Sequence, residues 1–165
     1  MLKKYSAFLD YIELIIKVIL VASVAVMIFA MAYQVVLRYI FNNANAWSEE
    51  LTRYVFIYQV MFGSAIAIRR NSHLQVDVLI NKMKPKVRCV FTILSTIAGV
   101  IFLILLFKYS IDFVAIGKRN LSVGLFIPMS IPYLALPIGC VLMVLTSLEV
   151  IFKNIEEFRK GDTKG

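Results

Sequence analysis

The sequence has few charged residues and few of the side chains that bind metals. Of its 165 residues only 17% are charged, and it contains one histidine and two cysteines. A single histidine cannot hold a membrane haem between two imidazoles, and a zinc site with three protein ligands would lack partners. No serine–histidine–aspartate or cysteine–histidine set can be assembled in one aqueous pocket. We therefore expect no catalytic activity, no cofactor and no metal site in this chain.

Hydrophobic residues make up 61% of the chain, more than a soluble domain of this length could bury. A membrane-spanning helix needs about 20 apolar residues, because the hydrocarbon core is about 30 Å thick. These properties predict an all-α integral membrane protein with one four-helix domain over residues 1–160 and a disordered tail at 161–165. The four predicted spans cover residues 14–37, 49–68, 87–108 and 128–152.

Two short amphipathic segments accompany the predicted spans. Before the first span, apolar residues recur at intervals of three and four, as in an interfacial helix that bends into the membrane. The segment RRNSHLQVDVLINKMKPKVR, between the second and third spans, has apolar residues on one helical face and a break at Pro85. It predicts a second short helix on the inner membrane surface.

The orientation follows from the lysine and arginine residues. With four spans, the two termini and the loop between spans 2 and 3 share one side, which carries 12 of the 18 basic residues. The other side carries five, and Lys17 lies at the start of the first span. Because positively charged loops stay in the cytoplasm, we expect both termini on the cytoplasmic side of the membrane. Nucleic-acid binding is not expected, since no binding motif accompanies the charge.

Three proline residues lie in the first half of the fourth predicted span. Pro128 can occupy a first helical turn at no cost, but Pro132 and Pro137 would each remove an internal hydrogen bond. The sequence therefore predicts a kinked or broken start to this helix.

Ionisable residues are predicted to lie away from the middle of the membrane. Glu13 lies roughly 20 Å from the centre of the first span, Glu149 lies near the inner end of the fourth, and Asp112 lies beyond the third. The most central polar side chain is Gln59, which suits a hydrogen bond between helices. A self-sufficient four-helix transporter acting as a homodimer is an alternative, but the sequence offers it no midplane carboxylate. A membrane enzyme or electron carrier is a third possibility.

A dense polar and aromatic segment, QVVLRYIFNNANAWSEELTRY, joins the first two spans on the outer side. Ser48 can cap the second helix, which places Glu49 and Glu50 in its first turn. Glu49 and Arg53 are four residues apart and can form an ion pair, and Trp47 suits the headgroup layer. Each feature also has an ordinary reason in the construction of a helical hairpin.

Two parts of the sequence resemble a known family. The run RYIFNNANAWSEELTRY, followed by Gly63 and then by RRNSHLQVDVL, is similar to the small, DctQ-like membrane subunit of TRAP transporters. That family has an outer R-Y-x-F-N segment leading to W-x-E-E, and an inner basic stretch leading to H-x-x-V-D. This chain departs from it mildly, with Asn71 and Ser72 where glycine often precedes the histidine.

The resemblance implies four spans in a bacterial cytoplasmic (inner) membrane, with both termini on the cytoplasmic side, and a large permease subunit as partner. That partner would carry the substrate and sodium sites and move, elevator fashion, against a stationary scaffold that the small subunit extends. A periplasmic binding protein would deliver an organic acid, with sialic acid and C4-dicarboxylates both open. The implied interface or structural residues are Arg38, Tyr39, Asn42, Trp47, Glu49, Glu50 and Arg53 on the outer side, and Arg69, Arg70, His73 and Asp77 on the inner side.

Overall fold

A computed structural model of the chain describes residues 2–42, 45–70 and 85–161. Within these residues there is no strand, and one isolated β-bridge joins Leu121 to Pro128. Four helical segments are long and apolar enough to cross a membrane, which confirms the all-α class and the number of spans. The helices are α1 (Leu2–Ile40), α2 (Ala46–Arg69), α3 (Pro85–Gly117), the short α4 (Ser130–Tyr133) and α5 (Ala135–Gly161).

The first helix is longer than the predicted span. Its 39 residues, about 58 Å at helical rise, form one helix, so no interruption of the helix separates an interfacial segment from the span. The reason is visible in the sequence, because residues 2–40 contain neither proline nor glycine. The second predicted interfacial helix, after Arg70, falls on residues 71–84 and lies outside the described residues.

The third helix also extends further than predicted. The apolar run ends at Lys108, but α3 continues to Gly117, so Asp112 lies inside the helix rather than beyond it. The prediction was wrong here because hydropathy stops at the first charged residue, whereas lysine and aspartate remain compatible with helical backbone.

The start of the fourth span is broken, as its prolines predict. The short helix α4 ends at Tyr133, and α5 begins at Ala135 after a one-residue interruption at Leu134. The Leu134 amide donates to the carbonyl oxygen of Ser130 at 2.9 Å, so the chain turns without losing this hydrogen bond.

The bundle is organised around α5, which packs against both α2 and α3, while α1 packs mainly against α2. At Gly139 the backbones of α2 and α5 come close, since a Cβ atom there would lie 2.7 Å from Met61 Cβ. Close contact through small residues is typical of helices that pack in membranes. The buried apolar core comprises Met61, Ala65, Leu103, Ala135, Cys140 and Met143.

Candidate functional site

Two polar clusters lie at opposite ends of the bundle, and the connection between α1 and α2 belongs to the first. Asn42 adopts a left-handed backbone with φ of 49°, which asparagine tolerates better than most residues. The predicted cap at Ser48 was wrong. Asn45 caps α2, and its side-chain oxygen accepts a hydrogen bond from the Trp47 amide at 3.3 Å. The helix therefore starts at Ala46, and Ser48 is completely buried in its first turn.

Side chains of this hairpin form one ion pair and one aromatic contact. Glu49 and Arg53 form the predicted ion pair at 3.0 Å, with both side chains more than half exposed. The rings of Tyr33 in α1 and Trp47 in α2 lie 5.8 Å apart and tilted by 41°, so an aromatic contact joins the two helices.

Glu50 binds a segment far away in the sequence, which we call the Glu50 loop (residues 118–129). Its carboxylate oxygens accept hydrogen bonds from three successive backbone amides, those of Val123, Gly124 and Leu125, at 3.0, 3.0 and 3.1 Å. Three converging N–H groups form an anion-binding concavity, here occupied by a side chain of the same protein. The carboxylate thus fixes the loop before the fourth span onto the start of α2.

The backbone of the Glu50 loop is closely fitted to α2. A Cβ atom at Gly124 would lie 2.8 Å from the carbonyl carbon of Ala46, so only glycine allows this approach. At the tip of the loop, Phe126 has a φ of 53° and an exposed side chain. The Ser122 amide donates to the Ile127 carbonyl at 2.9 Å and closes the loop on itself.

Two residues predicted for this site project away from it. Tyr39, near the end of α1, is 76% exposed. Arg38 is also exposed and, among the described residues, forms no hydrogen bond or ion pair. These two side chains are accessible to another molecule, whereas Glu50 is engaged within the chain.

The second cluster, which we call the Arg69 cluster, lies at the other end of the bundle and joins three helices. The guanidinium of Arg69 at the end of α2 is 6% exposed and contacts both α1 and α5. Its Nε donates to Glu149, which is 1% exposed, at 2.7 Å, and Nη2 donates to Asp10 at 2.6 Å. Arg69 also binds the Glu13 carboxylate and the Ser6 carbonyl oxygen. The cluster comprises Ser6, Asp10, Glu13, Arg69 and Glu149.

Further cations surround this cluster and neutralise its acids. Arg70 binds Glu13 at 3.0 Å, and Lys153 binds Glu149 at 2.7 Å from one turn further along α5. Lys17 pairs with Glu13 in the same way along α1. A buried charge is tolerated when it is paired and hydrogen-bonded, and here each acid has at least one cationic partner.

Sequence reasoning identified Arg69 and Arg70 but assigned them to the inner loop. Their described contacts are with helices, because Arg69 ends α2 at the level of the acids on α1 and α5. The missed partners were Asp10, Glu13 and Glu149. Two of these had a signal, since Glu13 and Glu149 each precede a lysine by four residues. His73 and Asp77, predicted for the same side, lie outside the described residues.

Between the two clusters, α1 and α2 are joined by a hydrogen bond of side chains. The Gln59 amide donates to the Ser23 hydroxyl at 2.9 Å, the interhelical role predicted for this glutamine. Contacts therefore tie α1 to α2 at three levels, two of them polar, through Glu13 and Ser23, and one aromatic, through Tyr33. The carboxylates at both ends hold helices and a loop together, which makes them structural groups.

Comparison with protein families gives a match over most of the chain. Residues 27–157 match the model for the DctQ component of tripartite ATP-independent periplasmic transporters. The matched region includes the α1–α2 hairpin, the Glu50 loop and the α2 and α5 residues of the Arg69 cluster.

Curated relatives come from several transport systems. The chain is 32% identical to the sialic acid TRAP transporter small permease protein SiaQ of Vibrio cholerae, over 92% of this chain and 86% of that protein. It is 33% identical to the C4-dicarboxylate TRAP transporter small permease protein DctQ of Rhodobacter capsulatus, over 64% of this chain and 48% of that protein. It is 25% identical to the isethionate TRAP transporter permease protein DctMQ of Oleidesulfovibrio alaskensis, over 89% of this chain but 24% of that protein.

Proposed function

The chain belongs to the DctQ family of TRAP transporter components, and we propose that it is the non-catalytic subunit that scaffolds a large, elevator-type permease subunit. It is a multi-pass protein of the bacterial inner membrane. In this proposal the large subunit carries the substrate and sodium sites, and a periplasmic binding protein delivers the substrate.

The DctMQ relative supports a large membrane partner. Nearly the whole of our chain aligns with about a quarter of that protein, so the remaining three quarters belong to the same polypeptide. A fused arrangement keeps two parts at high effective concentration, which is useful when they work as one complex. We infer that the present chain forms the corresponding complex with a separate large subunit.

The observation that carries the scaffolding role is that the bundle is fastened at both ends. The Arg69 cluster joins α1, α2 and α5 through buried charges, and Glu50 fixes the loop between α3 and α4. A packed core with discrete polar links at each end resists sliding of one helix along another. A subunit built in this way suits the stationary part of an elevator transporter.

The proposed orientation places the Arg69 cluster on the cytoplasmic side and the Glu50 loop on the periplasmic side. The excess of lysine and arginine on the side of the termini supports this arrangement. The exposed Arg38, Tyr39 and Glu49–Arg53 pair then face the periplasm, where the large subunit or the binding protein could contact them.

The substrate class is an organic anion. The names of the relatives include sialic acid, C4-dicarboxylate and isethionate, all of which carry a negatively charged group. We propose sialic acid or a C4-dicarboxylate as the substrate, bound by the partner chains. We also propose that the complex couples uptake of this substrate to the entry of sodium ions.

The proposal is tested by reconstitution into liposomes. This chain, the large subunit and the binding protein of the same transport system are purified together, and uptake of radiolabelled sialic acid and succinate is measured under a sodium gradient. We expect uptake only when all three proteins are present. Uptake by this chain alone, or by the other two at full rate without it, would contradict the proposed function.

A further inference from the structure

Lys108 and Asp112 lie on the outward face of α3. Both side chains are exposed and stand four residues apart, one turn from each other. The opposite face of the helix is packed, with Leu103 and Ser110 buried, seven residues apart. The two charges therefore point away from the bundle.

The depth of these charges follows from how α3 packs against α5. At one end, a Cβ atom on Gly117 would lie 2.8 Å from the Ser130 amide nitrogen, which puts the last residue of α3 beside the start of α4. Further along, residues of α3 and α5 line one apolar cavity, which fixes the antiparallel register. The lining residues are Leu103, Ile104 and Phe107 on α3, and Cys140, Val141, Val144 and Leu145 on α5.

This register places Lys108 within the membrane-spanning part of the bundle. The candidate span of α3 is Val90–Gly117, and that of the last two helices is Ser130–Glu156, so Gly117 and Ser130 mark the same end of the two spans. Lys108 lies nine residues before Gly117, about 14 Å from that end. Asp112 lies one turn nearer to the Glu50 loop.

Charges at this depth need partners that lipid does not supply. Within the described residues no ion pair or hydrogen bond engages either Lys108 or Asp112. A lysine near a helix end can reach the headgroups with its long side chain, but a lysine about 14 Å deep is beyond that reach, and an aspartate is shorter still. Ionisable groups inside spans almost always face protein or water.

We propose that this face of α3 is the membrane-embedded contact with the large permease subunit. A transmembrane helix of that subunit packs along Ile101, Leu105 and Ile116, and brings polar groups of complementary charge to Lys108 and Asp112. The inference rests on the proposed function, which supplies a membrane-embedded partner. It adds where that partner binds and what chemistry the contacting helix carries.

The test measures how much large subunit is recovered with the tagged small subunit after co-expression and purification in mild detergent. Lys108→Leu and Asp112→Leu are each expected to lower recovery about tenfold or more, because each leaves a partner's charge buried and unpaired. Lys118→Leu is the matched control, since it removes the same charge from the Glu50 loop, and it should leave recovery unchanged. Membrane yield of the small subunit alone checks that each variant inserts.

The double variant Lys108→Leu/Asp112→Leu distinguishes this proposal from the alternative that Lys108 and Asp112 pair with each other. If the two residues neutralise each other in lipid, the double variant should recover the wild-type amount, and the interface would be ruled out. Undiminished recovery in both single variants would rule it out as well. If the wild-type chain itself does not retain the large subunit, the proposed function fails, and with it the occupant named here.

A cross-linking experiment identifies the neighbour directly and does not depend on a destabilised variant. p-Benzoylphenylalanine is introduced in place of Leu105, which is 52% exposed beside Lys108. Irradiation of membranes that contain all subunits should give an adduct between this chain and the large subunit. Adducts only with lipid, or only with a second copy of this chain, would overturn the proposal.

Discussion

The two ends of the bundle are fastened by different chemistry. At the Arg69 end, one guanidinium gathers side chains from three helices, and its main partner Glu149 is almost completely buried. At the Glu50 end, one carboxylate accepts hydrogen bonds from three backbone amides of a single loop at a partly exposed site. The first arrangement sets the positions of helices, whereas the second sets the shape of a connection.

The difference predicts how each end responds to substitution. A buried charge that loses its partner cannot be rehydrated, so removal of the partner should destabilise the whole bundle. A backbone amide near the surface that loses its carboxylate partner can donate its hydrogen bond to water instead, so the loss of stability should remain local. Substitutions should therefore have their largest effect at the Arg69 cluster and smaller effects at the Glu50 end.

The largest effect is expected for Arg69→Ala, which leaves Glu149 buried without its guanidinium. We expect a loss of about 3–5 kcal/mol in unfolding free energy, measured by denaturation of the purified protein in detergent. The matched control is Arg53→Ala, which breaks an exposed pair and should cost less than about 1 kcal/mol. Equal losses in the two variants would remove the distinction between the ends. Arg69→Met combined with Glu149→Met should restore much of the stability, because it removes both charges together.

Gly124→Ala tests the backbone contact at the Glu50 end. The added Cβ would meet Ala46 backbone at 2.8 Å, and backbone cannot rotate away as a side chain can. We expect a loss of about 1–3 kcal/mol, measured by thermal unfolding in detergent. Gly99→Ala is the control, since a Cβ at that position would meet nothing within 4 Å. A loss at Gly99 as large as that at Gly124 would contradict the close fit of the loop.

Glu50→Gln should loosen the Glu50 loop without affecting the Arg69 cluster. The neutral amide keeps one acceptor oxygen but replaces the other with a donor, which opposes the N–H groups. Amide hydrogen exchange at Val123, Gly124 and Leu125 should become at least about tenfold faster, as followed by mass spectrometry. Exchange in the α5 turn around Glu149 should be unchanged. Faster exchange at both ends alike would mean that the ends are coupled.

The smallest effect on stability is expected at the exposed part of the hairpin. Glu49→Ala should change the unfolding free energy by less than about 1 kcal/mol, since its partner Arg53 is exposed to water. Assembly with the large subunit, or uptake, should nevertheless weaken in Glu49→Ala and in Trp47→Ala. Unchanged complex recovery and uptake in both variants would mean that these residues only stabilise the α1–α2 hairpin and do not contribute to assembly.

Features that depend on local pattern could be predicted from the sequence. Runs of apolar residues revealed the four spans, and Pro132 and Pro137 revealed the broken start of the fourth. The spacing of Glu49 and Arg53 revealed their ion pair, because residues four apart on a helix are neighbours.

Features that depend on distant contacts could not be predicted. Glu50 reads as a first-turn acid that favours the helix dipole, and nothing local links it to amides 73 to 75 residues away. The depth of Lys108 was also hidden, because hydropathy measures where a run of apolar residues ends. The depth of Lys108 depends instead on the register between α3 and α5, which only tertiary packing defines.

The three contacts between α1 and α2 have a consequence for the tolerated length of the chain. Glu13, Ser23 and Tyr33 are spaced by ten residues and meet Arg69, Gln59 and Trp47 at successive depths. Inserting one residue between two of these levels would rotate the contacts beyond it by about 100° and move them by about 1.5 Å. Insertions and deletions within residues 13–33 should therefore be rejected. Length variation among homologues should accumulate before Ser6 and in the short turn after Ile40.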